Sequence, residues 1–112
     1  MKVFTIALAA ALCCANAAAA PPPIAGTITQ LRVHSANNTE STARGTMILQ
    51  LSTAATNGCV WLFIKSDDKN TLSTALSAKL ADRAVTVYYD NTVLPAWGDP
   101  TTCAVTAIEI SG

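Results

Sequence analysis

The order of elements legible in this chain is three strands, a helix and two strands. That order predicts a mostly β domain: a five-stranded Greek-key barrel with one α-helix between strands three and four. Three observations carry the prediction. Short β-branched and apolar runs recur between polar, turn-rich breaks. Only one segment, Thr71 to Arg83, places apolar residues at spacings of three and four. Two cysteines, Cys59 and Cys103, open the third and fifth predicted strands.

Residues 1 to 20 read as an export signal. Lys2 supplies a positive start, Val3 to Ala15 an apolar core, and Ala15-Asn16-Ala17 a small-x-small site. Cleavage is expected after Ala17, with the next two alanines as alternatives. Leu12 directly precedes Cys13, where lipoprotein processing requires a small residue, so Cys13 and Cys14 are read as part of the discarded signal. The apolar core is shorter than the roughly 20 residues that span a bilayer, and no second such run follows, so no membrane span is expected. A secreted or periplasmic location is implied. Pro21-Pro22-Pro23 begins a Pro-rich arm over residues 21–25, expected to be extended and mobile.

The domain proper is expected over residues 26–112. Gly26 to His34 alternates as strand one, with Leu31 and Val33 inward and Gln30, Arg32 and His34 outward. Ser35 to Ala43 is a polar loop. Gly45 to Thr53 forms strand two, with Met47, Leu49 and Leu51 inward. Asn57-Gly58 marks a turn that needs positive φ. Cys59 to Lys65 forms strand three and is apolar on both faces, as in a strand buried on two sides or at an interface. The helix follows, with Leu72, Ala75, Leu76 and Leu80 on one stripe and Asn70 or Thr71 as N-cap. Ala84 to Tyr89 forms strand four, with Val85, Val87 and Tyr89 on one face. Asp90 to Thr102 is a long loop carrying Trp97, and Cys103 to Ile110 forms strand five. This is the strand order of the OB-fold. In that fold strand five lies parallel to strand three, which would bring the starts of both strands, and hence Cys59 and Cys103, side by side. Sandwich and ferredoxin-like layouts predict no such meeting.

Charge and cysteine use narrow the function classes. Lys plus Arg and Asp plus Glu each number 7, and loss of Lys2 with the signal leaves six cations against seven acids. A near-neutral surface argues against nucleic-acid binding, which needs a dense basic face. Cys59 and Cys103 remain as an even pair in an oxidising compartment and read as a disulfide. Two cysteines and the single His34 lack zinc-site spacing, and a redox pair would be C-x-x-C. Asp67-Asp68 lacks the rest of a calcium loop and reads as a solvated turn before a helix. His34 ends a strand without a nucleophile elbow beside it, and Glu40 and Glu109 are not brought together. No catalytic residue, metal or cofactor is expected. Asn37-Asn38-Thr39 fits a glycosylation pattern, which matters only in a eukaryotic secretory pathway, whereas the leader looks bacterial.

A binding role fits better. OB barrels take oligosaccharides and oligonucleotides over strands two and three and the loops joining strands one–two and four–five. Here the first loop is rich in Asn, Thr and Ser, which hydrogen-bond sugar hydroxyls, and the second carries Trp97, either a plug of the barrel end or a stacking platform. The candidate ligand residues are Trp97, Asn37, Asn38, Tyr88 and Arg32. Three strand patterns, G-x-I-x-x-L-x-V from Gly26, G-C-V-W-L-F-I-K from Gly58 and A-V-T-V-Y-Y from Ala84, lie within Gly26 to Ile110. Over this stretch the chain resembles the B subunits of pentameric bacterial AB toxins, of the subtilase-cytotoxin and pertussis-like kind. The resemblance implies a ring of five, cell-surface glycan binding and a partner toxin A subunit, and it carries over no sugar-binding residue. A homo-oligomer would also account for the apolar third strand and for an alanine-rich helix packed along a central axis.

Overall fold

The computed structural model describes residues 20–111. The expected export signal, with Cys13 and Cys14, falls outside them except for Ala20. The described chain forms five strands, β1 (Ile24–Val33), β2 (Met47–Leu51), β3 (Trp61–Ile64), β4 (Ala84–Asp90) and β5 (Thr102–Ile110), and one helix, α1 (Lys69–Leu80). The strands close as a barrel in the order β1-β2-β3-β5-β4, with β1 returning to pair β4. This is the OB-like arrangement, with the helix between strands three and four.

Closure depends on β1 serving two neighbours. Ile24 to Thr27 pair antiparallel with Val87 to Ala84, and Ile28 to Val33 pair with β2. The register shifts between Ile28 and Gln30, a bulge that bends the strand and lets it turn the corner. Gly26 sits where β1 crosses the end of β2, and a Cβ there would approach the Ser52 Oγ to 2.5 Å. The strand begins two residues earlier than expected. Ile24 and Ala25 therefore leave the predicted arm, and Pro21 is buried. Ile24 and Ile28 are the deeply buried residues of β1, while Leu31 is half-buried and Val33 is 56% exposed. Val33 shares the inner face with its partner Met47, as expected, but it stands on the last rung of the strand, past the core, and so remains exposed.

The other strands follow their alternation. Met47, Leu49 and Leu51, Leu62 and Ile64, and Val85, Val87 and Tyr89 fill the interior. The β3 and β5 strands run parallel, with Leu62 opposite Cys103. Cys59 lies just before β3, and its Cα stands 5.7 Å from that of Cys103 across the disulfide.

The helix differs in phase from its prediction. Asp68 is the N-cap, its carboxylate accepting from the Thr71 N–H at 3.4 Å, and the helix stops at Leu80, where Asp82 turns with φ 51°. The buried stripe is Ala75 and Ala78 with half-buried Leu72, and it packs on β1 and β5. Leu76 is 44% and Leu80 78% exposed. Two alanines let the helix backbone approach the barrel closely, which rotates the larger leucines outward.

Candidate functional site

The outer surface of β1, β2 and β3 carries the cleft. Arg32 lies opposite Ile48, and Ile48 opposite Phe63, so the three side chains form one outward row. Trp61, two residues before Phe63, shares that face. The Arg32 guanidinium stands over Trp61, 5.2 Å from the ring centroid, in cation–π contact. Ile48 and Phe63 are nonetheless buried. The loop after β4 covers them: the Trp97 ring lies 6.2 Å from Phe63, edge to face, and 5.7 Å from His34. Strand three is thus apolar on both faces because a loop of the same chain covers its outer side, and no interface is required to explain it. Trp97 is half-buried on the barrel wall and does not plug the barrel end.

Two loops wall the cleft, each built by short side-chain-to-backbone bonds. In the first, the Asn38 carboxamide oxygen accepts from the Glu40 N–H at 2.9 Å, and Arg44 donates to the Asn38 carbonyl at 2.8 Å. Glu40 caps a 3-10 turn, Ser41–Ala43, accepting from the Thr42 hydroxyl at 2.8 Å. Gly45 closes the loop with φ 76°, donating to the His34 carbonyl at 2.7 Å, and its Cβ position lies 2.9 Å from the Ser66 Cβ. His34 donates from Nδ1 to the Thr46 carbonyl at 2.9 Å, so the neutral ring carries its lone pair on Nε2. A triad would have a carboxylate at that Nδ1.

In the second loop, Asp90 accepts from the Thr92 hydroxyl at 2.6 Å and its N–H at 2.8 Å. Asp99 does the same with Thr101, at 2.9 Å from the N–H and 2.7 Å from the hydroxyl, and also accepts from Thr102. The Thr101 N–H, then its hydroxyl, hold the Asp99 carboxyl below the usual aspartate range. The Thr92 hydroxyl, then its N–H, do so for Asp90. Gly98, at φ 81°, donates to the Pro95 carbonyl at 2.9 Å and makes the turn that presents Trp97.

Between these walls lies an open cleft of about 420 Å³. Arg32 and His34 line it from the end of β1, Trp61 from β3, Asn38 and Glu40 from the first loop, and Trp97 and Asp99 from the second. Among the described residues the Arg32 guanidinium and the Asn38 amide nitrogen take no hydrogen-bond acceptor. The cleft therefore offers indole surfaces, two sets of unengaged N–H donors and one oxygen of the Glu40 carboxylate, while Asp99 has both oxygens engaged by Thr101 and Thr102. A cavity of about 400 Å³ between the β2–β3 connection and Ile24 carries Gln50, Ser52 and Thr53 among apolar residues, and these three side chains already bond the Val60 carbonyl, the Thr27 N–H and the Ala25 carbonyl.

Of the residues singled out in the sequence, Arg32, Asn38 and Trp97 come together here. Asn37 is exposed beside the cleft, its N–H held by Ser35 at 3.1 Å, and does not line it. Tyr88 belongs elsewhere: it pairs with Ala107 in the β4–β5 part of the barrel wall, and Glu109, first by hydrogen bonding and then by charge, raises its phenol above the usual range. Sequence reasoning missed Trp61, Glu40 and Asp99 as lining residues and set His34 on open solvent. Inward Leu62 already turns Trp61 outward, and Asp-Pro-Thr-Thr at residues 99–102 is a turn signal.

Among the described residues, no group of three His, Cys, Asp or Glu side chains could hold a metal ion, and no helix is long and apolar enough to cross a membrane. No protein-family profile, curated protein or solved structure matches the chain.

Proposed function

We propose that this chain is a secreted, non-catalytic binding module that takes carbohydrate, a cell-surface glycan, in the cleft beside Trp97. The observation that carries the reading is one juxtaposition. Trp61 and Trp97 flank unengaged donors of Arg32 and Asn38 and the second carboxylate oxygen of Glu40, on the barrel face that OB-folds use for ligands. Indole faces stack on the apolar side of a pyranose, while a carboxylate and N–H donors satisfy its hydroxyls. The likeness to toxin B subunits extends the proposal to a homo-oligomer, a pentamer in its fullest form, with an A subunit as partner. Exposed Leu76 and Leu80 on α1 supply an apolar contact for such an assembly.

A glycan array probed with the oxidised protein tests the ligand class, with Trp97→Ala as control. Retention of glycans that falls at least tenfold in the variant supports the reading, and no retention by the parent protein removes it. Light scattering after size exclusion reads the oligomer, and a strict monomer removes that part alone. The same two leucines favour a second reading, a periplasmic OB protein that binds a protein partner through α1. Retention in the periplasm together with a blank array would select it.

A further inference from the structure

The cleft does not end at Trp97. On the other side of that residue a second concavity of about 290 Å³ is lined by Thr42, Phe63, Lys65, Ser66, Asp67 and Leu94, with Trp97 as a shared wall. The 3-10 turn Ser41–Ala43 is the other common boundary, since Ala43 lines the first concavity and Thr42 the second. The Glu40–Thr42 hydrogen bond ties the two sides together.

The second concavity is equipped like the first. It has aromatic and aliphatic surface from Trp97 and Leu94 over a floor of buried Phe63, a cation in Lys65 and an anion in Asp67. Lys65, Ser66 and Asp67 are all exposed, and among the described residues none of their side chains takes a hydrogen-bond partner. In contrast, Asp99, which shapes its loop, spends both oxygens on Thr101 and Thr102. Unengaged donors and acceptors around a concave surface are what a ligand's hydroxyls require.

We infer that the two concavities are subsites of one site straddling Trp97, so that its ligand is an oligosaccharide of at least two residues and not a single sugar. This inference rests on the carbohydrate reading above. Arg32, Trp61 and Asn38 hold one residue, Lys65, Ser66 and Asp67 hold the next, and Trp97 contacts both. Neither hollow is enclosed, so each residue alone is weakly held, and affinity comes from linking two contacts in one ligand.

The test is chain length. The probe is an array in which galactose, glucose, mannose and N-acetylglucosamine each appear alone and at the end of di- and tetrasaccharides. The best sugar is then titrated calorimetrically at each length. The inference expects at least a tenfold gain in affinity from monosaccharide to disaccharide, and expects Lys65→Ala/Asp67→Asn to abolish most of that gain. Equal affinity for all lengths overturns the inference and leaves the carbohydrate reading standing. So does a full chain-length gain in the double variant. Retention of no sugar at any length overturns both. The two substituted residues are exposed, and an unchanged circular dichroism spectrum and urea midpoint show that the variant is folded.

Discussion

Tyr89 lies 2% exposed in the barrel, yet its hydroxyl accepts from the Thr56 N–H at 3.1 Å and meets the Thr56 hydroxyl at 2.9 Å. One side chain thus fills the core and anchors the Asn57-Gly58 turn that leads into Cys59. Tyr89→Phe keeps the ring and deletes the anchor. A loss of about 1 kcal/mol is expected, the net worth of a hydrogen bond whose partner remains near water. Urea unfolding should show a lower midpoint at unchanged slope, and no shift would mean that the turn is held by its backbone alone. The inward position of Tyr89 was legible, because strict alternation with Val85 and Val87 leaves no other choice. Its partner was not, since Thr56 is 33 residues away and only barrel closure brings the two together. The same limit applies at the cleft. Arg32 and Trp97 stood out as residue types, whereas Trp61 resembled core until the loop that half-covers its face was in place.

Elements behave as their boundaries dictate. Residues Leu72, Ala75, Leu76 and Leu80 made a plausible buried stripe, but alternative stripes one position apart look alike in a helix so rich in small residues. The small pair Ala75 and Ala78 won because it permits the closest approach to β1 and β5. The cap was equally ambiguous among neighbouring polar residues, and Asp68 took the role. Asp68→Ala should therefore cost about 1 kcal/mol of stability, read by thermal or urea unfolding, with Asp68→Asn much milder. The loop carrying Trp97 makes a separate prediction in acid. Hydrogen bonds to their carboxylate forms lower the folded-state pKa of Asp90 and Asp99 relative to the unfolded chain. Their contribution is complete above the ordinary aspartate range and is lost as pH falls through the lowered folded values. The melting temperature should fall through that acid window, and Asp90→Asn/Asp99→Asn should flatten the dependence while lowering stability at neutral pH. An unchanged acid profile in the double variant would show that these two carboxylates do not hold the loop.

At the scale of the whole molecule, the decisive contact is between strands that are distant in sequence. Closing the barrel requires two pairings between strands distant in sequence, the antiparallel β1–β4 pair and the parallel β3–β5 pair, and a parallel pair cannot be made by a hairpin. The disulfide sits at the β3–β5 seam and joins residues 44 positions apart. It encloses α1, β4 and the long Trp97 loop, so in the reduced unfolded chain all of these separate freely. The chain-entropy account assigns such a loop roughly 4 kcal/mol. Whole-domain stabilities are only about 5–15 kcal/mol, so this bond carries a large share of what keeps the barrel closed. Cys59→Ser/Cys103→Ser should lose about 2–5 kcal/mol in urea unfolding. The proposed glycan binding should weaken in the same variant, because Trp61 and Trp97 reach the cleft from the two sides of this seam. Both cysteines are buried, at 5% and 2% exposure, so a reductant must wait for the barrel to open. Reduction by dithiothreitol should be slow in buffer and speed up in urea well below the unfolding midpoint. Fast reduction without urea would mean that the β3–β5 seam opens on its own, and the two walls of the cleft would then have no fixed spacing.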